Sequence, residues 1–279
     1  MSPSPVLTIV LPPSVVGQSW RDAVEKAAVD RHASVDVVTQ CPDVSASGGA
    51  LIIIEQPRTL WRSFQDQDRD AKPRDVLTKV SSLLAETSQA VANGADTRAA
   101  EALSHAMGEL GSVSRAPAAI EAVDDPALDF YSNQPPAIGA SAYWGVQHFS
   151  YPVGGGFDGG GPDMDLTGRF RILVHGPYIV LPPGLWQVEA QFEVDPERGV
   201  TRLRFEWGVG DDLDIASVQI DRPGVYSMAL TRLWSVAGPA QLRIWSEHAA
   251  FQGHMRFKGC FIRRLPDPHP AMDAGSAAP

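Results

Sequence analysis

The chain has 279 residues and a formal net charge of −10, which excludes a polyanionic partner held by general electrostatics, because neutralising phosphates needs a clustered basic surface. No nucleic-acid partner is expected. Its only cysteines, Cys41 and Cys260, lie outside any Cys-x-x-Cys or Cys/His spacing, so neither a structural zinc site nor a disulfide framework is encoded, and a single Cys41–Cys260 bridge is the one covalent link left open.

At the N-terminus, Met1-Ser2-Pro3-Ser4-Pro5 has no basic residue, and the apolar run from Val6 to Leu11 is too short for a secretory signal core. No run approaches the length of a membrane span, so a soluble, cytoplasmic chain is expected. Val6 to Leu11 reads instead as a strand, and the spacing of Trp20, Val24, Ala27 and Ala28 predicts a helix from about Ser19 to Ala33. Val35 to Val38 is a second strand. Ala50 to Ile54 is a third, apolar on both faces as a covered parallel strand is. This order is α/β. Val76, Val80, Leu83, Leu84, Thr87 and Val91 form the stripe of a helix from Arg74 to about Asn93, which Asn93-Gly94 stops. Asp96 or Thr97 caps a further helix through Leu110. Residues 1–111 thus read as a small α/β domain, and residues 112–136, rich in Ala, Asp and Pro without a period, as a linker.

The second half changes period. From Phe170 to Val174 the apolar positions alternate, and after Leu181-Pro182-Pro183-Gly184 the alternation resumes. Trp186, Val188, Ala190, Phe192 and Val194 face inward while Gln187, Glu189, Gln191 and Glu193 face outward. Strands follow at Thr201 to Trp207, Ile215 to Ile220, Val225 to Leu230, Ala240 to Trp245 and Met255 to Ile262, with Arg222-Pro223-Gly224 as one of the turns. Residues 137–266 therefore read as an antiparallel β-sandwich of jelly-roll type, and residues 267–279 as a disordered tail. The fold class expected for the whole is a two-domain α+β chain.

Two resemblances follow from these residues. Ile53-Ile54-Glu55-Gln56-Pro57-Arg58-Thr59-Leu60-Trp61-Arg62-Ser63 resembles the segment of sulfotransferases that binds the 3′-phosphate of the nucleotide cofactor, and Ser19-Trp20 falls where that family's other phosphate loop lies. The resemblance implies nucleotide contacts at Ser19, Arg58 and Ser63. Glu55 departs from it, standing where the family has a basic residue, and no Lys or Arg lies between Pro12 and Trp20. The β half, through Gly176-Pro177-Tyr178, Pro182-Pro183-Gly184-Leu185-Trp186, Arg222-Pro223-Gly224-Val225-Tyr226 and Leu242-Arg243-Ile244-Trp245, resembles galactose-binding-like sandwiches, which include many carbohydrate-binding modules.

Sugar recognition needs an exposed aromatic face and planar polar groups for hydroxyl pairs. Tyr143 and Trp144, beside the Gly154–Gly161 loop, and Trp234, near a strand end, are the candidate platforms, whereas Trp186 and Trp207 fall in phase with the core. His175 and Tyr178 are candidate polar contacts. Arg171, Arg202 and Arg204 alternate outward and are expected to pair with Glu189 and Glu193, or to meet an acidic glycan. Asp211, Asp212 and Asp214 could hold calcium, as could the shorter cluster at Asp163 and Asp165; no other cofactor is expected. No hydrolase elbow, Walker loop or catalytic His constellation is present. The reading is a non-catalytic glycan-binding or accessory protein of bacterial polysaccharide metabolism, with a glycan or polysaccharide as partner. The alternatives are a sulfotransferase- or glycosyltransferase-like enzyme with a nucleotide donor, and a structural module that binds a partner protein.

Overall fold

The computed structural model describes residues 7–11, 15–30, 35–39, 50–54, 56–93, 96–99, 125–152, 162–197 and 199–267. Its first elements are β1 (Leu7–Val10), α1 (Val15–Asp30), β2 (Val35–Val38) and β3 (Ala50–Ile54). β1 pairs in parallel with two neighbours, Ile9 opposite Val37 on one side and Leu51 on the other. The expected helix start at Asp96 is instead strand β4 (Asp96–Ala99), in parallel register with β3 from Leu51–Asp96 to Ile54–Ala99. A capping preference is a weak local term, and ladder pairing along the strand overrides it. Residues 100–124, the rest of that helix and most of the expected linker, lie outside the described residues.

Helices α2 (Pro57–Gln67) and α3 (Pro73–Ala92) both start with proline, whose missing N–H costs nothing in the first turn. α3 buries Val76, Leu77, Val80 and Leu84, and α2 adds Leu60 and Trp61. The end of the stretch read as a linker is packed: the 3-10 helix η1 (Pro126–Ser132) buries Ala127, Leu128, Phe130 and Tyr131. Asp125 caps it, accepting the Ala127 N–H at 2.9 Å. Without periodicity, a short 3-10 helix between prolines has no signal that distinguishes it from a linker. Among the described residues, no helix is long and apolar enough to cross a membrane.

The remaining strands are β5 (Ser141–Trp144), β6 (Asp163–Asp165), β7 (Arg171–Leu181), β8 (Gly184–Asp195), β9 (Thr201–Val209), β10 (Asp212–Ile220), β11 (Gly224–Trp234), β12 (Gly238–Ser246) and β13 (His254–Leu265). They form two antiparallel sheets, β10-β9-β12-β7 and β11-β8-β13-β5, with β6 beside β13. The alternation read in β8 holds, since Trp186, Val188, Ala190, Phe192 and Val194 are all buried. Phe192 meets Phe205 of the facing sheet at 5.1 Å, and Trp207 packs between Trp144 at 6.0 Å and Trp234 at 5.0 Å. Each such ring contributes roughly 4–6 kcal/mol of burial at ordinary transfer coefficients, so these contacts define the core.

Strand β7 lies at a sheet edge, and its backbone groups would be orphaned there. They are taken up from outside. Ser150 exchanges both backbone bonds with His175, Ser81 Oγ accepts from Val180 N at 2.9 Å, and the Tyr131 hydroxyl donates to Val180 O at 2.8 Å. α3 and η1 are thereby joined to the sandwich. Phe170, which strict alternation would put on the same face as Val174, is 51% exposed while Val174 is buried. A register shift near Ile172 breaks the alternation and turns Phe170 onto the outer face of the sheet.

Candidate functional site

The outer face of the β10-β9-β12-β7 sheet carries the polar residues that alternate with the core. Ile215, Glu206, Arg243 and His175 stand in one row across the four strands, and Arg204 and Trp245 are opposite each other in the next. Glu206 is a carboxylate on the outer side of a sheet, yet its side chain is only 4% exposed. Arg204 pairs with one of its oxygens and Arg243 Nη1 lies 3.7 Å from the other. Arg243 is fixed in turn, donating to Gln241 Oε1 at 2.9 Å and to Gly210 O at 2.8 Å. A charge withdrawn from water needs such partners, and the guanidiniums that cover it keep their outer sides in solvent. Beside them Trp245 and Phe170 stack at 5.0 Å with an interplanar angle of 12°.

The row ends at a built irregularity. Between Ala240 and Gln241 the β12–β7 register slips by one, which leaves Tyr178 as the extra residue of β7, at φ +68. Left-handed backbone costs a non-glycine residue roughly 1–2 kcal/mol and is concentrated where a side chain must be re-aimed. Gly176, at φ +129, prepares the bulge; a Cβ there would lie 3.3 Å from His148 O. The Tyr178 hydroxyl lies 3.0 Å from His175 Nδ1, and the Arg74 guanidinium of α3 sits 5.7 Å over the Tyr178 ring. Arg74 also donates to Ser150 Oγ. The His175 imidazole is held below its ordinary pKa, first by burial and then by the Arg74 and Arg243 charges.

The structure therefore joins His175 and Tyr178 but separates the other expected contacts from them. Trp144 is fully buried, its Nε1 donating to Ala127 O at 3.0 Å, so it presents no face to a ligand. Trp234 is 4% exposed in the same core, and only its margin lines a cleft of about 360 Å³ with Pro182, Pro183 and Arg264. Both tryptophans fall at strand ends, but with their side chains in the inward phase, and phase outranks position near a loop. Tyr143 lies on the outer face of the other sheet, 5.0 Å from Phe261, with its hydroxyl donating to Lys258 O. The Gly154–Gly161 loop lies outside the described residues.

Of the phosphate contacts implied for the first half, two have described side chains. Arg58 is committed to Asp129 through bonds of 2.9 and 2.7 Å, and Ser63 is completely buried. Ser19 lies within α1, its side chain outside the described residues, as is Glu55. The acidic turn is likewise occupied: Asp212 and Asp214 both pair with Arg232 from β11, and Asp211 is exposed. Among the described residues no three His, Cys, Asp or Glu side chains gather as a metal would require. Arg171, Arg202 and Arg204 do not reach Glu189 or Glu193. Arg171 donates to Thr167 O, Arg202 pairs with Glu247, Arg204 with Glu206, and Glu193 with Lys258 on the other sheet. Cys260 is a free, buried thiol whose pKa burial pushes up, and Cys41 lies outside the described residues.

Arg74, Glu206, Arg243, Trp245 and Phe170 escaped the sequence reading as site residues. The outward phase of Arg204 and Glu206 was legible in β9. Which strand lies beside β9, and that α3 reaches β7, was not.

No protein-family model and no curated protein matches the chain. Among solved structures, the CBM22-1 xylan-binding domain from Paenibacillus barcinonensis Xyn10C is similar over 47% of this chain and 98% of its own, at 12% identity and a TM-score of 0.33. TmCBM61, solved in complex with beta-1,4-galactotriose, is similar over 37% of this chain and 68% of its own, at 10% identity and 0.29. The glycosylation-associated Gap123 complex from Streptococcus agalactiae is similar over 93% of this chain and 49% of its own, at 8% identity and 0.31. Likeness at this level carries no ligand with it.

Proposed function

We propose that the chain is a non-catalytic glycan-binding protein whose ligand lies across the outer face of the β10-β9-β12-β7 sheet. The observation that carries this reading is the juxtaposition, on one face, of the stacked Phe170–Trp245 pair with the hydrogen-bonding row Glu206, Arg243 and His175. A pyranose offers an apolar face to an aromatic surface and hydroxyl pairs to planar polar groups, and this face supplies both. In this role the protein serves as an accessory of bacterial polysaccharide metabolism, holding sugar rather than transforming it.

The test is a glycan-array screen of the full chain, followed by calorimetry with the best ligand for the native protein and for Phe170→Ala and Trp245→Ala. The expected result is binding that each substitution weakens about tenfold or more while the circular dichroism spectrum is kept. Absence of binding across neutral and acidic glycans would overturn the reading. A second reading, a surface for a partner protein, is favoured by Val225, Leu233 and Phe261, which are 70, 53 and 44% exposed on the outer face of the other sheet. Stoichiometric co-purification of a partner, lost on Phe261→Asp, would support it.

A further inference from the structure

We infer that the glycan-binding face selects acidic sugars, carrying a carboxylate or a phosphate ester, and that Arg74 is the residue that reads the charge. This rests on the glycan reading and deepens it. Arg204 and Arg243 share a single carboxylate, Glu206, so the pair already exceeds its counter-charge. Arg74 has no carboxylate partner among the described residues. Its partners are the Ser150 hydroxyl and the face of the Tyr178 ring, which fix the guanidinium without neutralising it.

In a chain of net charge −10 a surplus of cations on one face is a local arrangement, and local arrangement decides which ions collect there. The strained bulge at Tyr178 belongs to the same arrangement. It places the phenol beneath Arg74 and against His175, and leaves His175 Nε2 without a partner among the described residues. Arg243 stands opposite His175 in the ladder, and Arg74 lies over the Tyr178 ring whose hydroxyl meets His175, so both cations border the same imidazole. Along β12, Trp245 is two residues from Arg243 on the same face, about 7 Å away. A pyranose ring on the Trp245–Phe170 stack thus has Arg204 and Arg243 beside it, and a chain that continues along the row past His175 brings an acidic substituent toward Arg74 over Tyr178, where a fork of N–H donors suits a planar carboxylate or a phosphate.

The experiment is calorimetry of the full chain with a glucuronate oligomer, its neutral glucose counterpart, glucose phosphate and inorganic sulfate, at low and at raised salt. The acidic oligomer is expected to bind about tenfold tighter than the neutral one, with the advantage shrinking as salt is added. Arg74→Gln is expected to cut the acidic-over-neutral preference about fivefold, and Arg74→Lys to cut it less, since the charge stays and the fork goes. Comparison of glucuronate with glucose phosphate names the source of the charge. Equal affinity for acidic and neutral oligomers would overturn the inference and leave the glycan reading standing, whereas binding of neither would overturn both. Sulfate binding as tightly as glucuronate would also overturn it, reducing the face to a simple anion site. If Arg74→Gln fails to fold, the His175 ring resonances of the native chain decide. They should move with the acidic oligomer and not with the neutral one, and the reverse would sink the inference.

Discussion

His175 Nδ1 lies 3.0 Å from the Tyr178 hydroxyl, across a bulge that turns Tyr178 to the side of the sheet where His175 already points. Two cations from different elements, Arg74 on α3 and Arg243 on β12, bear on the same imidazole. Burial and these charges both disfavour the imidazolium, so the folded chain takes up this proton less readily than the unfolded chain. The stability contributed by a neutral His175 is intact above the ordinary value of 6.5 and is lost as pH falls from there to the lowered folded pKa. Urea unfolding between pH 7.5 and 5 should therefore show a steeper acid loss for the native chain than for His175→Gln. In NMR titrations Arg74→Gln should raise the His175 pKa, because one of the two opposing charges is gone.

Trp207 is fully buried between Trp144 and Trp234, one of them from each end of the facing sheet. Trp207→Ala should cost about 3–5 kcal/mol, the loss of a large ring plus the cavity it leaves. Trp144→Phe keeps most of the packing but removes the bond from Nε1 to Ala127 O, which ties η1 to the sandwich. It should cost about 1–3 kcal/mol, because the carbonyl is left buried without its donor. Chemical denaturation measures both, and an unchanged midpoint for Trp207→Ala would place the centre of the core elsewhere.

Much of this core was legible because β8 keeps period two without interruption, so Trp186, Val188, Ala190, Phe192 and Val194 declare their face. The same period misplaces Phe170, since one irregularity in β7 inverts the phase and nothing local announces it. Gly176 before Pro177 marks that the backbone does something unusual there, but not where Tyr178 ends. The site draws on α3, β7, β9 and β12. Residues far apart in the chain meet only through sheet order, which pattern reading does not supply. Arg74 is the clearest case: in sequence it is a polar residue in the first turn of a helix, and its role arises from what α3 packs against.

Arg232 is 16% exposed in its side chain, extends from the inward phase of β11, and pairs with Asp212 and Asp214 of the facing sheet. These two carboxylates share one guanidinium, which calcium would have to displace. Added calcium is expected to leave the melting temperature unchanged in the native chain. In Arg232→Ala the two acids lose their counter-charge, and a calcium-dependent rise in melting temperature becomes feasible for that variant alone. A calcium shift in the native chain, seen by scanning fluorimetry, would show that the ion is bound without displacing Arg232.

Arg58 and Asp129 join α2 to η1 through two nearly parallel bonds, with both side chains about one-third exposed. Arg62 and Asp66 form an ordinary pair one helical turn apart, half in solvent. Bidentate geometry and partial burial should make the first pair worth more, about 1 kcal/mol of coupling against roughly 0.3–0.5 for the second. A double-mutant cycle with Arg58→Ala and Asp129→Ala, scored by urea unfolding, reads this directly. The same commitment bears on the nucleotide resemblance, because a phosphate would have to compete with Asp129 for a guanidinium whose donors are engaged. Adenosine 3′,5′-bisphosphate is therefore expected to give no thermal shift with the native chain, and a shift abolished by Arg58→Ala would show instead that the ion pair opens to admit it.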